Sequence, residues 1–91
     1  MKKTVNFDVD GTLITGKGGK PRPSVVKMVK EYQHNGYQAT IWSRRGKMYA
    51  KETAHRLGIT NVKHASKNVP HNKPDVAVDD KEYLGKKNII V

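Results

Sequence analysis

The stretch Thr4-Val5-Asn6-Phe7-Asp8-Val9-Asp10-Gly11-Thr12-Leu13-Ile14 decides how this chain is read. Val5, Phe7 and Val9 are apolar, Asp8 and Asp10 follow at the end of the run, and Gly11 breaks it. On an extended strand residues i and i+2 face the same side, so Asp8 and Asp10 project together. They do so at the strand's C-terminal end, where ligands bind in open α/β sheets. Two close carboxylates repel each other, so the pair calls for a cation or a shared proton. A hard cation such as Mg²⁺ takes oxygen ligands, commonly one or two carboxylates together with a substrate phosphate. The plain alternative is a strand running into an Asp-Gly turn with both carboxylates in water.

Working outward, residues 3–9 read as a central strand. Residues 11–23 hold four glycines and two prolines, which predicts a loop or a tight hairpin. Within it Gly16-Lys17-Gly18-Gly19-Lys20 lacks the spacing of a phosphate-cradling loop and opens no helix, so it reads as a turn. Ser24 is a good N-cap, and Val25, Met28, Val29 and Tyr32 fall on one face of a helix over 25–35 that Gly36 stops. Residues 37–43, rich in β-formers, are a second strand. A second helix over 47–57 buries Ala50, Thr53, Ala54 and Leu57. Residues 61–65 read as an edge strand and 66–74 as a polar loop with Pro70 and Pro74. Val76-Ala77-Val78 is a short apolar strand ending in Asp79-Asp80. A helical turn over 82–85 and a last strand over 88–91 complete the chain. Strands alternating with helices imply a parallel sheet with right-handed crossovers. The expected architecture is α/β: a single Rossmann-like domain over residues 1–91, three-layered, about five parallel strands with helices on both faces.

Ninety-one residues leave no room for a second core. With 35% hydrophobic and 29% charged residues, the composition suits a modest core rather than disorder. The absence of cysteine excludes disulfides, thiol nucleophiles and thiolate zinc sites. No apolar run approaches the roughly 20 residues of a membrane span, and the basic start is followed by no signal-peptide apolar region. A cytoplasmic protein with no membrane association is expected. Eighteen Lys and Arg against eight Asp and Glu leave a net charge of +10, which favours polyanions such as nucleic acids, nucleotides or other phosphates. The same charge also serves solubility.

Asp8-Val9-Asp10-Gly11-Thr12-Leu13 resembles the first motif of the haloacid dehalogenase superfamily, Asp-x-Asp-Gly-Thr-Leu, as found in its phosphatases. Three further features stand in that family's order. Ser43, closing Ala-Thr-Ile-Trp-Ser, resembles the second motif. Lys73, in Asn-Lys-Pro-Asp, resembles the third, with Lys67 as the competing lysine. Asp79-Asp80 after Val-Ala-Val resembles the fourth. The resemblance covers essentially the whole chain, and the intervals where family members carry a cap domain are loop-sized here. It implies a capless phosphatase with an open site, and a flap formed by the segment after the first motif.

The resemblance implies Mg²⁺-dependent hydrolysis of a phosphomonoester through a phospho-aspartyl intermediate. In that reading Asp8 is the nucleophile and Asp10 the general acid and base. Ser43 and Lys73 hold the phosphoryl group. Asp8, Asp10 through its carbonyl, Asp79 and Asp80 supply the metal site. Arg44 and Arg45 follow Ser43 and are candidates to clamp the rest of the substrate, a nucleotide or nucleic-acid end being favoured by the charge. The four histidines form no zinc pattern and read as surface or structural residues. Trp42, alternating with Ser43, is expected to point away from the site into packing. Two other functions compete: a basic, nucleic-acid-associated binding module with little or no catalysis, and a phospho-acceptor domain of the receiver type. The second normally places its acidic pair and acceptor on different strands.

Overall fold

The computed structural model describes residues 2–16, 18–81 and 85–91. Its elements run β1 (Thr4–Asp8), β2 (Ile14–Thr15), β3 (Lys20–Pro21), α1 (Pro23–His34), β4 (Gln38–Ser43), α2 (Lys47–Arg56), β5 (Lys63–Ser66), β6 (Val76–Asp79) and β7 (Lys87–Ile90). Five strands form one sheet in the order β5-β4-β1-β6-β7, every neighbouring pair parallel. The expected Rossmann-like α/β sheet is therefore present, with β1 at its centre. Residues 82–84 of the predicted helical turn lie outside the described residues.

From β1 the chain steps to β4 and again to β5 in the same direction. Two right-handed crossovers in one direction put α1 and α2 on the same face. The packing agrees: Val5 and Phe7 of β1, Ala39 and Ile41 of β4, and Val76 and Val78 of β6 form one apolar cluster with Val25 and Val29 of α1 and Ala50 and Ala54 of α2. Phe7 meets Tyr32 of α1 edge-on at 6.0 Å. Among the described residues both helices, α1 and α2, lie on this one face. The opposite face, carrying Asn6, Asp8, Trp42 and Ala77, is approached by irregular chain: His71 stacks 4.7 Å from Trp42, and Gly85 lies against Ala77 with no room for a Cβ. The reason is length, since the β5–β6 connection holds too few residues with helical periodicity and contains Pro70 and Pro74.

Helix α1 begins at Pro23 rather than after Ser24, because proline's fixed φ and missing N–H suit the first helical position. Gly36, at φ 85°, stops it as expected. Helix α2 buries Ala50, Thr53 and Ala54. Strands β2 and β3 pair antiparallel as a hairpin, Ile14 opposite Pro21 and Thr15 opposite Lys20. Among the described residues no helix is long and apolar enough to cross a membrane.

Candidate functional site

Parallel strands share one C-terminal edge, and here the three central ones end in polar side chains that meet. Asp8 closes β1, with Ser43 closing β4 on one side and Asp79 closing β6 on the other. All three are buried. With Asp10, Arg44, Lys67, Asp80 and Lys81 they line an open cleft of about 370 Å³. The turn after β1 is tied back by the N–H groups of Leu13 and Ile14, which donate to the Val9 carbonyl at 3.0 and 3.2 Å. Gly11 sits at its tip with φ 82°, and a Cβ there would run into the Asp80 carboxylate. That close approach fixes how Asp80 enters the cleft. Thr12, fully buried, donates through Oγ1 to Asp8 Oδ2 at 3.3 Å.

The lysine of the site is Lys67. It follows β5 directly, and its backbone N–H donates to the Ser43 carbonyl at 3.0 Å, which pins it beside the end of β4. From there Nζ stands 2.7 Å from Asp8 Oδ1 and 2.7 Å from Asp79 Oδ2, on a side chain only 4% exposed. Lys73, favoured by the sequence reading, is exposed and does not line the cleft. The correction has a simple cause. Lys73 precedes β6, so it lies towards the opposite edge of the sheet, where Asp75 accepts from the Thr4 N–H at the start of β1. At roughly 3.3 Å per strand residue, β6 itself separates that edge from Asp79 by about 10 Å.

Trp42 is buried, as expected, but does not point away from the site. It pairs in register with Asp8 and so shares that residue's face. Its ring lies 5.5 Å from the Lys67 ammonium, within cation–π range. Of the segment expected to hang over the site, no described residue of 11–23 lines the cleft. The described hairpin residues lean on α2, with Gly19 beside the Arg56 guanidinium.

Asp8, Asp79 and Asp80 each bring a carboxylate oxygen to within 4.8 Å of the others. The Asp10 carboxylate is outside this group. Tyr49 donates its hydroxyl to Asp10 Oδ1 at 2.9 Å, and Arg45 Nε pairs with Oδ2 at 3.4 Å while lying over the Tyr49 ring. Ser43 Oγ accepts the Arg45 N–H at 3.0 Å. Tyr49, Lys81 and Thr12 were not singled out as functional in the sequence. Thr12 stood inside the opening motif and Lys81 directly after the acidic pair. Tyr49 carried no local signal, because only the docking of α2 brings it to Asp10.

The electrostatics follow from one ammonium among three carboxylates. Burial raises the Asp8 pKa above the ordinary value, the nearby charges of Asp79 and Asp80 add to this, and the hydrogen bond and charge of Lys67 oppose it. Burial pushes the Asp79 pKa up, but its hydrogen bonds with Asp80 and Lys67 outweigh this and hold it below the ordinary range. Asp80, sharing that hydrogen bond with Asp79, is correspondingly raised. Burial works against the Lys67 ammonium, but hydrogen bonds to Asp79 and Asp8 outweigh it and raise its pKa. The cluster is thus short of positive charge. It can accept a cation on hard oxygen donors, and it presents a carboxylate at the floor of a cleft wide enough for a small anionic group. No protein-family model, curated protein or solved structure matches this chain.

Proposed function

We propose that the protein is a Mg²⁺-dependent phosphomonoester hydrolase of the haloacid dehalogenase type, without a cap, working through a phospho-aspartyl intermediate. The observation that supports this best is the Asp8–Lys67–Asp79 bridge, 2.7 Å on each side, at the C-terminal edge of the central strands and beside buried Ser43. The donor set fits the metal. Octahedral Mg²⁺ at 2.0–2.1 Å holds its ligand oxygens roughly 3–4 Å apart. The three carboxylates, within 4.8 Å of one another, need close by only a small amount to bind it. Bound there, Mg²⁺ would offset the carboxylate repulsion and polarise a phosphoryl oxygen.

In this reading the Asp8 carboxylate attacks phosphorus in line. The Asp8 O–P bond forms, the bond from phosphorus to the leaving oxygen breaks, and Asp10 gives that oxygen its proton. Water then attacks the same phosphorus, Asp10 takes the water's proton, and the Asp8 O–P bond breaks to release inorganic phosphate. Ser43 donates its hydroxyl hydrogen to a phosphoryl oxygen. Lys67 bridges the nucleophile and the phosphoryl group, where negative charge grows in the transition state. Tyr49 and Arg45 hold the Asp10 carboxylate at the cleft mouth.

The test is release of phosphate from p-nitrophenyl phosphate with Mg²⁺, with chelator, and by Asp8→Asn. Turnover that needs both Mg²⁺ and Asp8 is expected. Turnover by folded Asp8→Asn at the wild-type rate, or none by wild type with Mg²⁺, overturns the reading.

A further inference from the structure

Charge is not evenly spread over this protein. Of eight acidic residues, Asp8, Asp10, Asp79 and Asp80 line the cleft, so the rest of the surface is strongly cationic. Part of that charge is organised. A groove of about 410 Å³ between the start of α1 and the end of α2 is bordered by Lys27, Lys30 and Arg56, and no acidic residue lines it. Arg56 also borders the next hollow, about 360 Å³, formed with the hairpin glycines Gly18 and Gly19 and with Tyr49. Glu52 is the one acid there. Tyr49 in turn touches Asp10 at the cleft mouth, with Arg45 over its ring. Cleft, hollow and groove therefore adjoin in that order, and cations stand along them: Arg45, Arg56, then Lys27 and Lys30.

We infer that this protein acts on the terminal phosphate of a single-stranded nucleic acid whose backbone runs from the cleft past Arg56 to Lys27 and Lys30. The inference rests on the phosphatase reading above. A chain of regularly spaced phosphates is the ligand that can use a file of cations leading away from a phosphate-sized cleft. A hexose phosphate held in the cleft is too short to extend past Arg45 to Arg56, Lys27 and Lys30. The inference takes a single strand because Asp8 and Asp79 are buried at the cleft floor, which an unpaired end nucleotide enters more readily than one held in a duplex.

The experiment compares kcat/KM for p-nitrophenyl phosphate, a mononucleotide, and terminally phosphorylated single-stranded DNA and RNA of two to fourteen nucleotides, at low and moderate salt. The protein is 37 Å in its longest dimension. At ~3.4 Å per stacked nucleotide, the gain with length should stop by about ten nucleotides. At least a tenfold rise from mononucleotide to that length is expected. The triple variant Lys27→Ala, Lys30→Ala, Arg56→Ala should lose the rise and leave p-nitrophenyl phosphate turnover unchanged. Each lost phosphate contact removes about 0.7 from the salt slope, so the slope should fall by about 2. A flat length series in wild type, or a triple variant that keeps the rise, overturns the inference while p-nitrophenyl phosphate turnover leaves the phosphatase reading standing. If no phosphomonoester is hydrolysed, both fall.

Discussion

The Lys67 ammonium stands 2.7 Å from the Asp8 carboxylate, and both side chains are almost wholly buried. A second carboxylate, Asp79, lies equally close to the same nitrogen. Lysine here does two jobs that separate experimentally: it keeps two buried carboxylates tolerable and it faces the cleft.

Removing one member of a buried ion pair strands the other and costs about 3 kcal/mol. Lys67→Met should therefore lower stability by that order in chelator, measured by urea denaturation, and should abolish phosphatase turnover. Mg²⁺ should recover part of the stability, because it supplies the missing positive charge, but not the turnover. Lys73→Met, at an exposed position outside the cleft, should change stability by less than about 0.5 kcal/mol and leave turnover intact. Equal effects of the two substitutions would show that the bridge is not what the site depends on.

Gly11→Ala should fail for two physical reasons at once. Its φ of 82° suits glycine and costs alanine on the order of 1 kcal/mol, and the new Cβ would meet the Asp80 carboxylate. Displacing Asp80 should weaken Mg²⁺ affinity at least tenfold by calorimetry, beyond any loss of stability. Unchanged affinity would mean Asp80 takes no part in cation binding.

Away from the site, Asp75 ties the start of β6 to the start of β1. The Thr4 backbone N–H donates to it at 2.8 Å, and this bond, more than the neighbouring Lys86, holds its pKa below the ordinary 3.8. A depressed carboxylate contributes stability that is fully present above its unfolded pKa and is lost as pH falls through the folded value. Asp75→Asn should therefore be less stable than wild type near neutral pH. The two should converge as the pH drops below 3.8. Thermal unfolding followed from pH 7 to pH 2.5 gives the comparison, and a gap that widens with acid would contradict it.

Most of the frame could be read from the chain because local signals agreed with one another. The apolar alternation of Val5, Phe7 and Val9, the helical stripe of Val25 and Val29, and Gly36 all point to the elements that formed. The acidic positions were legible for the same reason: a residue at the end of a parallel strand has only one edge to occupy. The lysine was harder. Lys67 and Lys73 both sit in a polar loop between two strands, and composition cannot tell which end of that loop lies at the carboxylates. Position relative to the strands can, since Lys67 directly follows β5 while Lys73 precedes β6. The second face of the sheet and the lean of the hairpin were illegible because they depend on how irregular chain packs. Tyr49 was missed on the same grounds.

Tyr49 offers the sharpest test of Asp10. Its hydroxyl donates to Asp10 Oδ1 at 2.9 Å, and its own pKa is raised by burial and by that contact. Tyr49→Phe deletes the oxygen and keeps the ring under Arg45, so stability should change by no more than about 1 kcal/mol. If Asp10 protonates the leaving oxygen, its placement matters only where the leaving group needs a proton. An alkoxide needs one and p-nitrophenolate does not. The value of kcat/KM reports events up to the first irreversible step, in which the leaving group departs, and so isolates this requirement from later hydrolysis of the intermediate. Tyr49→Phe should lower kcat/KM for an alkyl phosphate by about tenfold, roughly 1.4 kcal/mol of barrier, and hardly alter it for p-nitrophenyl phosphate. Asp10→Asn should show the same selectivity more strongly, in the range of 10²–10⁴ for the alkyl ester. If both substitutions slow the two esters equally, Asp10 is not the acid, and its contacts with Tyr49 and Arg45 only shape the cleft mouth.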